Sequence, residues 1–166
     1  MYLGLDLGTS GLRALLVDET GHVIGWSEAP CKVSHPLSGW SEQTPADWIA
    51  ACKACLSELK QDFAPQLATL RGIGLSGQMH GATLLDDADQ VLRPCILWND
   101  TRSAEEARVL DETAGLRDLS GNIVFPGFTA PKLRWIETHE PAIFSRIAKV
   151  LLPKDYLRLW LTGEYV

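Results

Sequence analysis

The stretch GLDLGTSGLRALLVD, Gly4 to Asp18, decides how this chain begins to fold. Leu3, Leu5 and Leu7 alternate with Tyr2, Gly4, Asp6 and Gly8, the two-residue period of a strand. Gly8-Thr9-Ser10-Gly11 then turns the chain, and Leu12 to Asp18 is a second apolar run. Asp18 to Gly21 turns it again, into a third strand over His22 to Ala29. Three strands joined by short turns predict a β-meander.

The same stretch carries the first candidate chemistry. Asp6 sits on an otherwise apolar strand, where a bare buried carboxylate would be costly. Gly8, Thr9 and Ser10 form a tight turn whose backbone N–H groups and hydroxyls suit phosphate oxygens. A facing carboxylate such as Asp6 suits the Mg²⁺ that neutralises them. Arg13, just inside the second strand, offers positive charge. No Gly-Lys-Ser/Thr follows, so this is not a Walker loop. Asp6 stands where Gly-x-Gly-x-x-Gly needs its middle glycine. An ordinary hairpin with a polar turn accounts for the same residues equally well.

Beyond the meander, CKVSHPLSGWSEQ reads as a loop, and Thr44-Pro45 supplies an N-cap and a first-turn proline. Asp47 is favourably placed against the helix dipole. Trp48, Ile49, Cys52, Leu56, Leu59 and Phe63 recur at helical spacing. Leu70 to Leu75 is a short strand after that crossover helix, expected to lie parallel to an earlier one. Downstream, a hairpin is expected around Asp86 to Gln90 and helices over Arg102–Thr113, Pro131–His139, Pro141–Ile147 and Lys154–Leu161. A short apolar segment lies at Lys149–Leu152. The order is mixed α/β, unlike the βαβ start of a dinucleotide-binding fold.

At 166 residues the chain has the length of one domain or of a large piece of one. The net charge is −6 with neither sign clustered, which argues against a nucleic-acid partner. No run approaches a membrane span and the start lacks a signal peptide's charged region, so a cytoplasmic protein without a membrane partner is expected. Cys31, Cys52, Cys55 and Cys95 are expected to be reduced and structural, because Cys52-Lys-Ala-Cys55 lies mid-helix without a second zinc pair.

Two further stretches bear candidate site residues. In GLSGQMHGATLLDD, Gly74 to Asp87, the residues Gln78, Met79 and His80 sit between glycines at the carboxyl end of the expected parallel strand. Ligands of α/β sheets gather at such ends. Met79 suits packing against carbon and His80 suits hydroxyls, a mix fitting a sugar. A structural histidine is the plainer reading, and His80 has no metal-ligand partner at helical spacing. In LWNDTR, Trp98 offers a flat apolar face and Asn99, Asp100 and Arg102 offer donors and acceptors. A helix cap at Asp100 or Thr101 is the alternative. Trp26, Trp48, Trp135 and Trp160 are read as core or interface.

Together DLGTSGLRALLVD, GLSGQMHGATLLD, PCILWNDTR, PGFTAPKLRWIETHEP and VLLPKDYLRLWLTGE resemble, in order, the amino-terminal part of xylulose kinases. These belong to the FGGY carbohydrate kinase family, with glycerol and gluconate kinases. The resemblance implies two domains of the actin-like, ribonuclease H-like fold, with residues 1–166 forming an incomplete first domain and the second domain lying outside the chain. It implies a sugar kinase using ATP and Mg²⁺ to phosphorylate D-xylulose. The phosphate loop falls on Asp6, Gly8, Thr9 and Ser10 with Arg13 basic, Asp6 taking Mg²⁺ directly or through water. The sugar-contacting pair falls on Met79 and His80, with Gln78, Trp98, Asn99 and Asp100 beside it. Glycerol kinases carry arginine and glutamate at that pair. Gluconate or other pentulose kinases remain an alternative, as does a non-catalytic actin-like module that binds nucleotide or a partner. The family's general base and adenosine contacts lie beyond Val166, so the isolated segment is expected to be inactive. A homodimer of the full-length enzyme is among the expectations.

Overall fold

The computed structural model describes residues 1–165. Their elements, in order, are β1 (Tyr2–Leu7), β2 (Gly11–Val17), β3 (Val23–Pro30), β4 (Glu42–Gln43), α1 (Pro45–Leu67) and β5 (Gly72–Gly77). Then follow β6 (Thr83–Leu85), β7 (Cys95–Ile96), α2 (Ala104–Asp111), α3 (Leu116–Ser120), α4 (Thr129–His139), α5 (Pro141–Phe144), β8 (Lys149–Leu151) and α6 (Pro153–Thr162). They divide into two compact units, and the boundary between Gln78 and Met79 falls inside GQMHG.

The first unit holds Met1–Val33, Pro45–Gln78 and the residues from Pro153 onward. Its sheet has the order β3-β2-β1-β5. The meander pairs antiparallel, and β5 returns parallel to β1 with Leu5 opposite Leu75. Alternation is strict, so Leu3, Leu5 and Leu7 share one buried face with their partners Leu16, Ala14 and Leu12. Helix α1 packs over β2 and β3 and buries Trp48, Cys52, Cys55 and Leu59. Gly11 has to lack a side chain, since a Cβ there would stand 2.5 Å from the Ala29 carbonyl oxygen.

Several expectations need correcting in this unit. Asp6 is exposed, pointing away from the α1 face, so it bears no burial cost. The spacing of α1 placed Ile49, Leu56 and Phe63 inside, yet Ile49 and Leu56 are half-buried and Ala51 and Cys55 take the core positions. Phe63 leaves helical geometry at φ −129°, two residues before Pro65, whose ring cannot be accommodated in a straight helix. Of the tryptophans read as core or interface, Trp48 is fully buried in the core, while Trp26 and Trp160 are 58% and 39% exposed.

The second unit holds Ser34–Thr44 and Met79–Leu152. Strand β4 pairs with β7, and β6 pairs with β8. The expected hairpin at Asp86–Gln90 is present, its turn closed by the Asp86 carboxylate accepting from the backbone N–H groups of Ala88 and Gln90. Helices α4 and α5 pack into a core with Ala82, Leu84, Ile96, Trp135 and Ile136, and α2 packs against α4. The loop reading of CKVSHPLSGWSEQ missed β4, a strand too short to carry a period. Helix α3 was also unforeseen, and α2 begins at Ala104 rather than Arg102.

All four cysteines are free and buried, as expected. Burial pushes the thiols of Cys31 and Cys52 up to about 11 and that of Cys95 up to about 12. Inert thiols in apolar surroundings behave this way. No helix among the described residues is long and apolar enough to cross a membrane.

Candidate functional site

In the first unit, the turn after β1 opens onto a cavity of about 450 Å³ lined by Asp6, Gly8, Ser10, Arg13 and Glu28 among others. Sheet register creates this grouping. Asp6 stands opposite Arg13 across β1 and β2, and Arg13 opposite Glu28 across β2 and β3, so all three project from one face. The guanidinium donates to the Glu28 carboxylate at 2.8 Å, with both side chains more than half exposed. An exposed pair of this kind holds only weakly and can exchange partners. Glu28, which sequence reading passed over, keeps the Arg13 guanidinium above its ordinary range, with a smaller contribution from Asp6.

The remaining turn residue is tied inward. The Thr9 hydroxyl donates to the Gln78 side-chain oxygen at 3.1 Å, and the Gln78 backbone N–H donates to the Leu7 carbonyl at 2.8 Å. Gln78 is 6% exposed, so it supports the turn after β1 instead of projecting toward solvent. Two carboxylates and one guanidinium line the cavity, an excess of acid that suits a cation-borne phosphate better than a bare one. Among the described residues no group of three or more His, Cys, Asp or Glu could cage a metal alone. Magnesium asks for no such cage, since it usually keeps waters and takes one or two carboxylates plus phosphate oxygens.

In the second unit, Met79 and His80 occupy the corner that leads toward β6. Met79 is 52% exposed, and His80 adopts φ +61°, unusual for a residue with a side chain. The imidazole packs on the Phe128 ring at a centroid distance of 4.6 Å, and Phe125 meets Phe128 edge-on. Burial, then the nearby Lys132, hold the imidazole below its ordinary range. A neutral ring keeps one donor and one acceptor, the pair a hydroxyl can use in either direction. His80 also borders a cavity of about 480 Å³ with Leu110, Leu116, Val124 and Phe128 in its wall.

The LWNDTR residues divide between surface and interior. Trp98 and Asn99 are exposed, whereas Asp100 is 1% exposed. One Asp100 oxygen accepts from the Arg102 backbone N–H and Nε, each at 2.9 Å. The other accepts from the Ser41 N–H at 2.6 Å and Arg102 Nη2 at 2.7 Å. Four donors fill a carboxylate's acceptor sites. Asp100 is therefore corrected from substrate contact to structural post. It does not cap a helix either, since Ser103 precedes α2. Arg102 is likewise interior, its guanidinium 3.6 Å from the Trp40 ring centroid and paired with Glu42.

These placements stand beside close relatives. Residues 1–166 match the model of the FGGY family of carbohydrate kinases, N-terminal domain. The chain belongs to the FGGY family of carbohydrate kinases. Among curated FGGY relatives, the xylulose kinase of Klebsiella pneumoniae is 52% identical over 165 residues, covering 99% of this chain and 34% of its own. The solved xyloylose kinase of Brucella ovis superposes with a TM-score of 0.98 at 62% identity, covering 99% of this chain and 34% of that one. The xylulose kinase of Rhodospirillum rubrum gives 0.92 at 39% identity, with the same coverage. The chain thus spans about a third of the length of the relatives it matches. Its mixed α/β architecture is the actin-like, ribonuclease H-like fold of FGGY N-terminal domains.

Proposed function

We propose that this chain is the amino-terminal part of an ATP-dependent kinase that converts D-xylulose to D-xylulose 5-phosphate. The observation that carries the proposal is the corner at Met79 and His80, which offers an exposed thioether and an imidazole that burial holds below its ordinary range. The likeness to xylulose kinases over nearly the whole chain supports the same sugar.

MgATP, when bound, supplies the γ-phosphoryl group and a cation that spreads its developing charge. The chain's own residues have separable tasks. Asp6 holds the cation, directly or through water, at the mouth of the turn after β1. Gly8 and Ser10 let phosphate oxygens approach the backbone, while Thr9, tied to Gln78, keeps the turn in shape. Arg13 exchanges Glu28 for phosphate oxygens, an exchange that the exposed geometry of the pair permits. Met79 packs against sugar carbons, His80 bonds hydroxyls, and Trp98 and Asn99 offer an apolar face and an amide.

The parent enzyme is the object to test. Sugar-dependent ADP release should favour D-xylulose over D-ribulose and D-gluconate, and a preference for gluconate would overturn the substrate assignment. Replacing His80 by alanine should raise the sugar KM about tenfold, the loss of one or two net hydrogen bonds, and leave the ATP KM alone. With its imidazole held below the ordinary value of 6.5, the wild-type sugar KM should not rise as the pH falls from 8 to 7. It should rise only in more acid solution.

A further inference from the structure

The motif PGFTAPKLRW contains a buried cation that the proposed reaction leaves without a task. Lys132, in the first turns of α4, is 0% exposed. A buried ammonium must place its donors on acceptors or surrender its proton. Its Nζ donates to the His80 carbonyl at 2.8 Å and to the Gly127 carbonyl at 2.6 Å. The Thr129 hydroxyl donates to the same His80 oxygen at 3.2 Å. Burial pushes the lysine down to about 8, with Cys95 and Asp100 opposing that shift and Arg102 adding to it.

The two carbonyls it grips belong to the stretches that matter. His80 sits at a backbone angle that needs outside support, and its oxygen is where two donors converge. Gly127 lies so close to Trp98 that a Cβ would overlap the Trp98 carbonyl oxygen. Phe128, next in the chain, is the ring on which the imidazole rests. One ammonium therefore ties GQMHG to PGFTAPK, which in turn lies against LWND. An apolar residue could fill the volume of Lys132 but could grip neither oxygen.

We propose that Lys132 is a positioning residue for sugar recognition, clamping the His80 and Gly127 carbonyls so that the imidazole keeps its place on Phe128. The proposal rests on the reading of His80 as a sugar contact. Lys132 touches no substrate in this scheme and acts through His80.

In the full-length parent enzyme, Lys132→Met should raise the D-xylulose KM about tenfold while the ATP KM stays within about twofold. Thr129→Val, which removes the second donor and is tolerant of folding, should move the same constant the same way by less. The double variant K132M/H80A should be no worse than H80A alone, because both changes remove one function. An unchanged sugar KM in folded K132M, or losses that multiply in the double variant, would overturn the clamp. Should K132M fail to fold, an unchanged sugar KM in T129V does so instead. If H80A itself leaves the sugar KM unchanged, the sugar reading falls, and the clamp is judged by NMR of ¹³C-labelled histidine. K132M, or T129V in its place, should then shift the His80 ring resonance away from its position over Phe128, and an unmoved resonance rejects the clamp.

Discussion

Arg102 lies over the Trp40 indole and near the Trp135 indole with 1% of its side chain exposed, and Asp100 answers its charge with a two-point contact. Glu42 joins Arg102 to Arg93, and Arg93 reaches Glu140, so the chain of charges runs from Asp100 to Glu140 through buried guanidiniums. Removing Asp100 leaves Arg102 with Glu42 as its remaining carboxylate and takes the acceptor from the Ser41 N–H. Asp100→Ala should therefore lower stability by about 3 kcal/mol, the typical result of removing one partner of a buried ion pair. Urea unfolding is the measurement, and a loss below about 1 kcal/mol would mean water replaces the carboxylate. At this scale sequence reading had the right residue types, but Asp100 and Arg102 turn inward while Asn99 stays exposed. Asn99 and Asp100 look alike as short polar neighbours in a loop, and only three-dimensional placement turns one outward and the other onto Arg102. Lys132 was invisible for a similar reason, since a lysine in an amphipathic helix normally reads as solvent-facing.

At the scale of elements, the meander was legible because its leucines alternate strictly and each turn is marked by glycine or acidic residues. Helix α1 was legible in position but not in shape. Its departure at Phe63 swings that ring onto Gly25 of β3, where a glycine leaves room for it. A Cβ on Gly25 would overlap the outer edge of the ring, so the Phe63 side chain would have to shift. Gly25→Ala should cost about 2 kcal/mol by overpacking, read as a lowered thermal midpoint in circular dichroism. The companion Phe63→Ala in a Gly25→Ala background should recover part of that loss, because the clash is gone. No recovery would place the cost in the strand backbone instead. The pairing of β6 with β8 was not readable from either segment, since three-residue strands carry no period and their register is set by the core beneath them.

For the whole molecule, the phosphate side and the sugar side of the proposed reaction are each partly present in the described residues. The turn after β1 brings Asp6, Gly8 and the exposed Arg13 to one cavity. The His80 corner has its neutral ring and exposed thioether. Both were legible as motifs because such sites combine polar residues with glycines at strand ends, a pattern that packing alone does not require. Neither collection supplies a carboxylate assigned to take the proton of the attacking hydroxyl, and the chain covers about a third of its relatives' length. Phosphoryl transfer depends on holding the hydroxyl, the phosphate and the cation together, so partial sites do not give partial rates. The 166-residue chain by itself is therefore expected to release no sugar-dependent ADP, while the parent enzyme does. A coupled assay on both proteins at equal concentration separates the cases. Turnover by the short chain within about a hundredfold of the parent would place the base among the residues described here, with Asp6 the first carboxylate to replace.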